Sequence, residues 1–261
     1  MLETTLKSKL SSGETILATF LQVPAAVMPE TIGLAGFDCG IIDTEHGMMG
    51  VDASIELVRG CDAVGLASVY RVPGVDPQRI GLALDFGASA VMVPNITNKQ
   101  DAERAVNAAK YHPEGNRGVC PFARGARYNA ADDDPDYYRR ANQETALVLQ
   151  IEASEGIANL DKILELPCID CIFIGPFDLA QSLGIPGKVT DERVLEAIRE
   201  IVQQADSKGI AVGNFSVTPE QAHYYMETGV RFLAYGTDTL IVHRAYRDLR
   251  KMILNPSEHR K

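Results

Sequence analysis

Along this chain, short apolar runs rich in β-branched residues alternate with longer segments whose apolar positions recur every three or four residues. The runs predict strands at Thr15–Val23, Cys39–Asp43, Ala67–Arg71, Ala90–Pro94, Leu147–Ile151, Cys171–Gly175, Ile210–Asn214 and Phe232–Tyr235. Leu147-Val148-Leu149-Gln150-Ile151 offers no polar face to solvent, which suits a parallel sheet covered on both sides. The longer segments predict helices at Met28–Ala35, Asp52–Cys61, Pro77–Phe86, Lys99–Tyr111, Glu155–Leu164, Val194–Lys208, Pro219–Thr228 and Thr239–Ile253. Eight strand–helix units in about 250 residues make a TIM (β/α)8 barrel of the α/β class. A single barrel domain over residues 1–261 is the expectation. Gly36, Gly87 and Gly229 fall where helices should stop before the next strand, positions that favour a left-handed backbone. An open doubly wound sheet would need a glycine-rich phosphate turn after its first strand, and Gln22-Val23-Pro24 is not one.

Parallel strands end together, so the residues at their exits share one rim, where barrels carry their chemistry. Glu152 and Asp178 follow the fifth and sixth strands. Two acidic side chains on one rim suit a hard divalent cation, Mg2+, Mn2+ or Co2+ by their oxygen ligands. The competing reading of Asp178 is a charge in the first turn of a helix. Between them, Gly175-Pro176 opens a turn whose free backbone N–H groups can hold an anionic oxygen.

The other exits add to this pair. Asp43-Thr44-Glu45-His46-Gly47 follows the second strand, Arg71 ends the third, and Gln150 precedes Glu152 by two residues. Arg71 is permanently cationic and suits an oxygen gaining charge in a transition state. His46 can move a proton near neutral pH, with Asp43 as the group that orients its ring. Asp85, at the end of a helix, reads either as a further partner or as a polar terminus.

Charge and composition narrow the partners. A formal net charge of −10 argues against nucleic acid or an anionic membrane and favours a small molecule. The start of the chain has no signal-peptide apolar core, and no stretch reaches the roughly 20 apolar residues of a membrane span. A soluble, cytoplasmic protein is expected. The five cysteines, 39, 61, 120, 168 and 171, are odd in number and lie mostly in apolar runs, as reduced thiols would. The loop from His112 to Glu144 is long enough to be a lid or an interface. Arg124 and Arg127 within it can meet an acidic substrate or a neighbouring subunit, or stay solvated. Ala131–Asp136 reads as a solvated turn and helix start.

Gly40-Ile41-Ile42-Asp43-Thr44-Glu45-His46-Gly47, Arg71, Leu149-Gln150-Ile151-Glu152, Phe173–Leu179 and Tyr111–Gly118 together resemble the HpcH/HpaI aldolases, class II metal-dependent pyruvate aldolases of the phosphoenolpyruvate/pyruvate superfamily. The resemblance implies reversible cleavage of a 4-hydroxy-2-oxo acid to pyruvate and an aldehyde through a metal-bound pyruvate enolate. It implies Glu152 and Asp178 as metal ligands, and Gln150 with the Gly175, Pro176 and Phe177 backbone as the pyruvate holder. Arg71 becomes the enolate stabiliser, His46 the acid–base group with Asp43 as its partner, and Asp85 a carboxylate near a subunit boundary. A homo-hexamer built as a trimer of dimers, with the last helix exchanged between paired subunits, is also implied. Thr44, Gly47 and the bulky Phe177 depart from the usual family pattern beside the site. The alternatives are an oxaloacetate decarboxylase, a CoA-ester lyase resembling the citrate-lyase β chains, and a non-catalytic binder of 2-oxo acids.

Overall fold

The computed structural model describes residues 5–129 and 134–254. Strands β1 (Ile16–Leu21), β2 (Cys39–Asp43), β3 (Ala67–Arg71), β4 (Ala90–Val93), β5 (Ala146–Ile151), β6 (Cys171–Ile174), β7 (Ala211–Ser216) and β8 (Phe232–Thr237) close into a barrel in chain order. All pairings are parallel, and β8 returns to β1. This is the α/β TIM barrel that the sequence predicts.

The helices are α1 (Leu6–Ser12), α2 (Val27–Leu34), α3 (Val51–Ala63), α4 (Pro77–Asp85), α5 (Lys99–Ala109) and α6 (Tyr137–Glu144). They continue as α7 (Ser154–Ala158), α8 (Leu160–Ile163), α9 (Pro176–Ser182), α10 (Glu192–Asp206), α11 (Pro219–Thr228) and α12 (Asp238–Leu254). The helix predicted over Glu155–Leu164 is interrupted at Asn159, whose side-chain amide donates to the Thr97 and Glu155 carbonyls, each at 3.0 Å. Of the short helices, α1 was not predicted, α6 begins at the helix start read at the end of Ala131–Asp136, and α9 carries Asp178 in its first turn, the competing reading of that residue. Part of the stretch read as a solvated turn, Ala131 to Asp133, lies outside the described residues. Asp134 pairs with Arg140 of α6.

Two apolar layers follow from the strand period of two. One set of side chains fills the barrel, including Ala18, Phe20, Ile41, Val69, Met92, Val148, Phe173 and Phe232. The alternate set, including Leu21, Ile42, Tyr70, Val91, Leu149 and Ile172, packs under the helices. On β2 the inward positions run Cys39, Ile41, Asp43; on β3 they run Ala67, Val69, Arg71; on β5 they run Ala146, Val148, Gln150. The same alternation that packs the core therefore aims the last inward residue of each strand into the mouth. Gly213 has no side chain because a Cβ there would stand 2.6 Å from the Phe173 ring, so β7 yields its inward place to that ring.

At the opposite end of the barrel, Lys110 is fully buried and donates to the carbonyls of Asn142 at 3.0 Å and Thr145 at 2.7 Å. Burial lowers its ammonium from 10.5 to about 8. All five cysteines are free thiols, Cys39, Cys61 and Cys171 buried, Cys168 half-buried and Cys120 exposed, so most but not all lie in the core. Arg124 is committed to Asp62 and to the Phe86 carbonyl. On α12, Val242, Tyr246, Leu249 and Ile253 leave an apolar stripe uncovered. Among the described residues, no helix is long and apolar enough to cross a membrane.

Candidate active site

The C-terminal mouth of the barrel holds a cavity of about 280 Å3 lined by Gln22, Asp43, His46, Arg71, Gln150, Gly175, Pro176, Asp178 and Thr237, with four phenylalanine rings. Asp43 is its buried anchor. The Arg71 Nε donates to Asp43 Oδ1 at 3.1 Å, and Nη2 stands 2.9 Å from Oδ2. The Gln22 amide also donates to Oδ2 at 3.2 Å. Gln22 is set in turn by Asp238, the buried first residue of α12, whose carboxylate accepts from the Gln22 and Val23 backbone N–H groups. Burial alone would raise the Asp43 carboxyl, but Arg71, the His46 amide and Gln22 together hold it below 3.8.

The backbone N–H groups of Glu45 and His46 donate to Asp43 Oδ1, folding the Asp43–Gly47 turn around the carboxylate. Gly47 is pressed onto this turn, where a Cβ would stand 2.0 Å from the Asp43 carbonyl oxygen. The sequence reading of Asp43 as the group that orients the His46 ring is corrected here. Its oxygens are occupied by Arg71, Gln22 and backbone amides, and among the described residues no hydrogen bond joins it to the imidazole. Instead, His46 Nε2 lies 3.9 Å from Glu45 Oε2, with the imidazole largely exposed at the mouth.

Glu45 was given no role from sequence. Its Oε2 stands 3.2 Å from Arg71 Nη1, and its Oε1 accepts from the Asn95 amide at 3.3 Å. Burial raises its carboxyl, opposed by Arg71 and reinforced by the charge of Glu152. The signal available in the sequence was its position beside His46 on a strand exit. Asn95 was missed as well. It adopts φ +58 at the exit of β4, a left-handed conformation that Asn tolerates better than most residues.

Glu152 is buried behind Gly175 and Gln150. Its Oε1 accepts from the Asn95 backbone N–H at 2.8 Å, and its Oε2 accepts from the Gln150 amide. Gly175 is required at that place, since a Cβ would come within 2.6 Å of Glu152 Oε2. Burial raises the Glu152 carboxyl, the two hydrogen bonds oppose the rise, and the charge of Asp178 adds to it. A raised, buried carboxylate beside a second carboxylate gains from a cation, so the donor set fits a divalent metal. Gln150 Oε1 is buried without a hydrogen-bond partner and adds an acceptor there. Among the described residues no group of three or more His, Cys, Asp or Glu side chains that could hold a metal ion forms.

Asp85 is not brought into this cavity by its own chain. It pairs with Arg117 at 2.6 Å, and that guanidinium lies over the Tyr111 ring. Arg127 is exposed.

Fold and site together define a barrel enzyme whose charged groups converge on one mouth, among four phenylalanine rings. The HpcH/HpaI aldolase/citrate lyase family model matches residues 17–245, and the chain belongs to that family of carbon–carbon lyases. It is 35% identical to a hydroxypyruvate/pyruvate aldolase of Deinococcus radiodurans, over 95% of this chain and 89% of that one. It is 33% identical to a 4-hydroxy-2-oxo-heptane-1,7-dioate aldolase of Escherichia coli, over 94% and 92%. The crystal structure of a family protein from Burkholderia cenocepacia superposes with a TM-score of 0.90 at 30% identity, covering 96% of this chain and 99% of that one.

Proposed function

We propose that this chain is a class II pyruvate aldolase that cleaves a 4-hydroxy-2-oxo acid reversibly to pyruvate and an aldehyde. The observation that carries the reading is the single cavity in which Arg71, His46, Gln150, the Gly175–Phe177 segment and Asp178 converge from separate strand exits. The names of the Deinococcus and Escherichia relatives, both aldolases of 2-oxo acids, support it.

Glu152 and Asp178 would hold the divalent cation, Mg2+, Mn2+ or Co2+, which supplies Lewis-acid polarisation of the 2-oxo group. Gln150 and the Gly175–Phe177 backbone hold and orient the 2-oxo acid. Arg71, fixed by Asp43 and Glu45, directs its remaining N–H groups at the oxygen that gains negative charge as the C3–C4 bond breaks. His46, acting through a water, removes the 4-hydroxyl proton and the aldehyde departs. Protonation at C3 then releases pyruvate. The exposed His46 ring suits a group that exchanges protons with solvent, and Glu45 is the carboxylate nearest to it.

The same reading takes the whole chain as one aldolase domain working in the cytoplasm. Its assembly is a hexamer, a trimer of dimers, in which the uncovered stripe of α12 packs on a paired subunit. Asp85 then contributes at the subunit boundary, consistent with its place outside its own chain's cavity.

Pyruvate release from 4-hydroxy-2-oxopentanoate, followed by coupled reduction to lactate, tests the proposal. Turnover should need Mg2+, Mn2+ or Co2+ and stop with a chelator. Chelator-insensitive cleavage would contradict the metal role.

A further inference from the structure

Gln22 is the first residue past β1, and the first turn of α12 decides where it sits. Its backbone N–H donates to both oxygens of Asp238 at 3.1 Å, and the Val23 N–H donates to Oδ2 at 3.0 Å. Both ends of its side-chain amide are engaged as well. The NH2 group donates to Asp43 Oδ2 at 3.2 Å, and Oε1 accepts from the Thr239 hydroxyl at 3.0 Å.

The direction of each bond follows from what each group can do. An ionised carboxylate only accepts, so the NH2 end of Gln22 must face Asp43 and its oxygen must face Thr239. Thr239 has one hydroxyl proton and gives it to Gln22. The Thr237 hydroxyl, 2.8 Å from Thr239 Oγ1, is therefore the donor in that contact, and it accepts in turn from the Leu240 N–H at 3.1 Å. Reversing any member would set an acceptor against an acceptor.

Asp43 uses what this relay delivers. Its Oδ1 receives Arg71 Nε and the backbone N–H groups of Glu45 and His46. Among the described residues, Oδ2 receives only Arg71 Nη2 and Gln22. Without Gln22 a lone pair on that buried oxygen loses its donor, and Arg71 alone holds that side of the carboxylate.

We infer that Gln22 is a positioning residue of this enzyme: held by Asp238 and Thr239, it completes the Asp43 carboxylate and so sets the aim of Arg71 at the oxygen gaining charge. This rests on the pyruvate-aldolase reading and adds to it a residue that acts through Asp43.

The test is deuterium exchange at the pyruvate methyl group with Mg2+-loaded enzyme. Gln22→Met keeps the side-chain length but has no donor. Its kcat should fall by about tenfold, while KM for pyruvate changes by less than about threefold, because Gln150 and the Gly175–Phe177 segment hold pyruvate. Gln22→Glu keeps the shape and the acceptor for Thr239 but sets a second carboxylate against Asp43. Two carboxylates this close share a proton. Asp43 and Asp238 face position 22, Arg71 and Glu45 lie beyond Asp43, and His46 and Asp178 line the same cavity. While the shared proton is held, the Glu O–H donates to Asp43 as the amide does. Once it leaves, the added charge opposes that of Arg71. The rate of Gln22→Glu relative to wild type should therefore fall by about tenfold from about pH 6 to about pH 8.5. A role confined to packing would leave that ratio constant.

A kcat in Gln22→Met within about threefold of wild type, or a Gln22→Glu ratio independent of pH, overturns the inference. If Gln22→Met does not fold, the isosteric Gln22→Glu decides alone. Exchange by the wild type with both variants unaffected sinks the inference and spares the pyruvate reading, whereas no exchange by the wild type sinks both.

Discussion

Arg71 meets Asp43 through two nitrogens, at 3.1 and 2.9 Å, and the carboxylate has no exposed surface. A guanidinium fixed this way keeps its direction as charge develops on the substrate, because nothing has to reorganise first. Asp43→Asn leaves that guanidinium buried against a neutral amide, and removing one partner of a buried pair costs about 3–5 kcal/mol. Turnover in aldol cleavage should fall by roughly 100-fold or more in Asp43→Asn and in Arg71→Lys, whose ammonium cannot make the two-nitrogen contact. Steady-state rates, on samples shown to be folded by circular dichroism, check this. A fully active Asp43→Asn would remove the pair from the mechanism.

His46→Ala should suppress aldehyde release by roughly 100-fold, the usual range for losing a general acid–base group. The imidazole makes no hydrogen bond to Glu152 or Asp178, so Mn2+ affinity measured by calorimetry should stay within about threefold of wild type, a shift under about 1 kcal/mol. Equal turnover in the variant would exclude His46.

Burial raises the Glu152 carboxyl above its ordinary value, and the hydrogen bonds from Asn95 and Gln150 oppose the rise without cancelling it. A group with a raised folded-state value binds protons more readily when folded, so its ionised form lowers stability once pH exceeds that value. Glu152→Gln removes this cost, keeps an acceptor for Asn95, and can donate to the unpartnered Gln150 Oε1 if the Gln150 amide turns over. At neutral pH the metal-free variant should melt about 2–4 °C above wild type, equivalent to about 1 kcal/mol. The upward shift that Mn2+ gives the wild type should disappear. A metal-dependent shift retained in Glu152→Gln would remove Glu152 as a ligand.

Lys110 gives a prediction away from the site. Its folded-state value of about 8 lies below the ordinary 10.5, so between these values the folded chain holds fewer protons than the unfolded one and stability rises with pH. Lys110→Met lacks this term. In urea denaturation, the stability of wild type relative to the variant should increase from about pH 7.5 to about pH 9.5, by at most about 3 kcal/mol. A pH-independent difference would show that the ammonium is not desolvated.

What the sequence made legible follows from where side chains are buried. Strands covered on both faces are continuously apolar, so Leu147–Ile151 and Cys171–Ile174 announced themselves, and strand count then placed Glu152, Asp178, Arg71 and Asp43 on one rim. Short helices did not. In α1 only Leu6 and Leu10 are buried, a single pair one turn apart, and α9 is a seven-residue helix that begins inside the Gly175-Pro176 turn, visible in sequence only as the competing reading of Asp178. Pair assignments were least legible. Asp43 and His46 are near in sequence, which suggested a dyad, but Asp43 and Arg71 are cross-strand neighbours in the β2–β3 register and both point inward. Glu45 and Asn95 come together only because two loops meet above Glu152, a relationship that local sequence does not encode.

The central claim is that Arg71 and a cation held by Glu152 and Asp178 stabilise the charge that builds on pyruvate oxygen. Deuterium incorporation into the pyruvate methyl group in heavy water, followed by proton NMR with Mg2+, reads that step without any aldehyde. The account predicts exchange well above the metal-only background, lost with a chelator and reduced by roughly 100-fold in Arg71→Lys. Exchange no faster than background, or undiminished after metal removal and in Arg71→Lys, would contradict it.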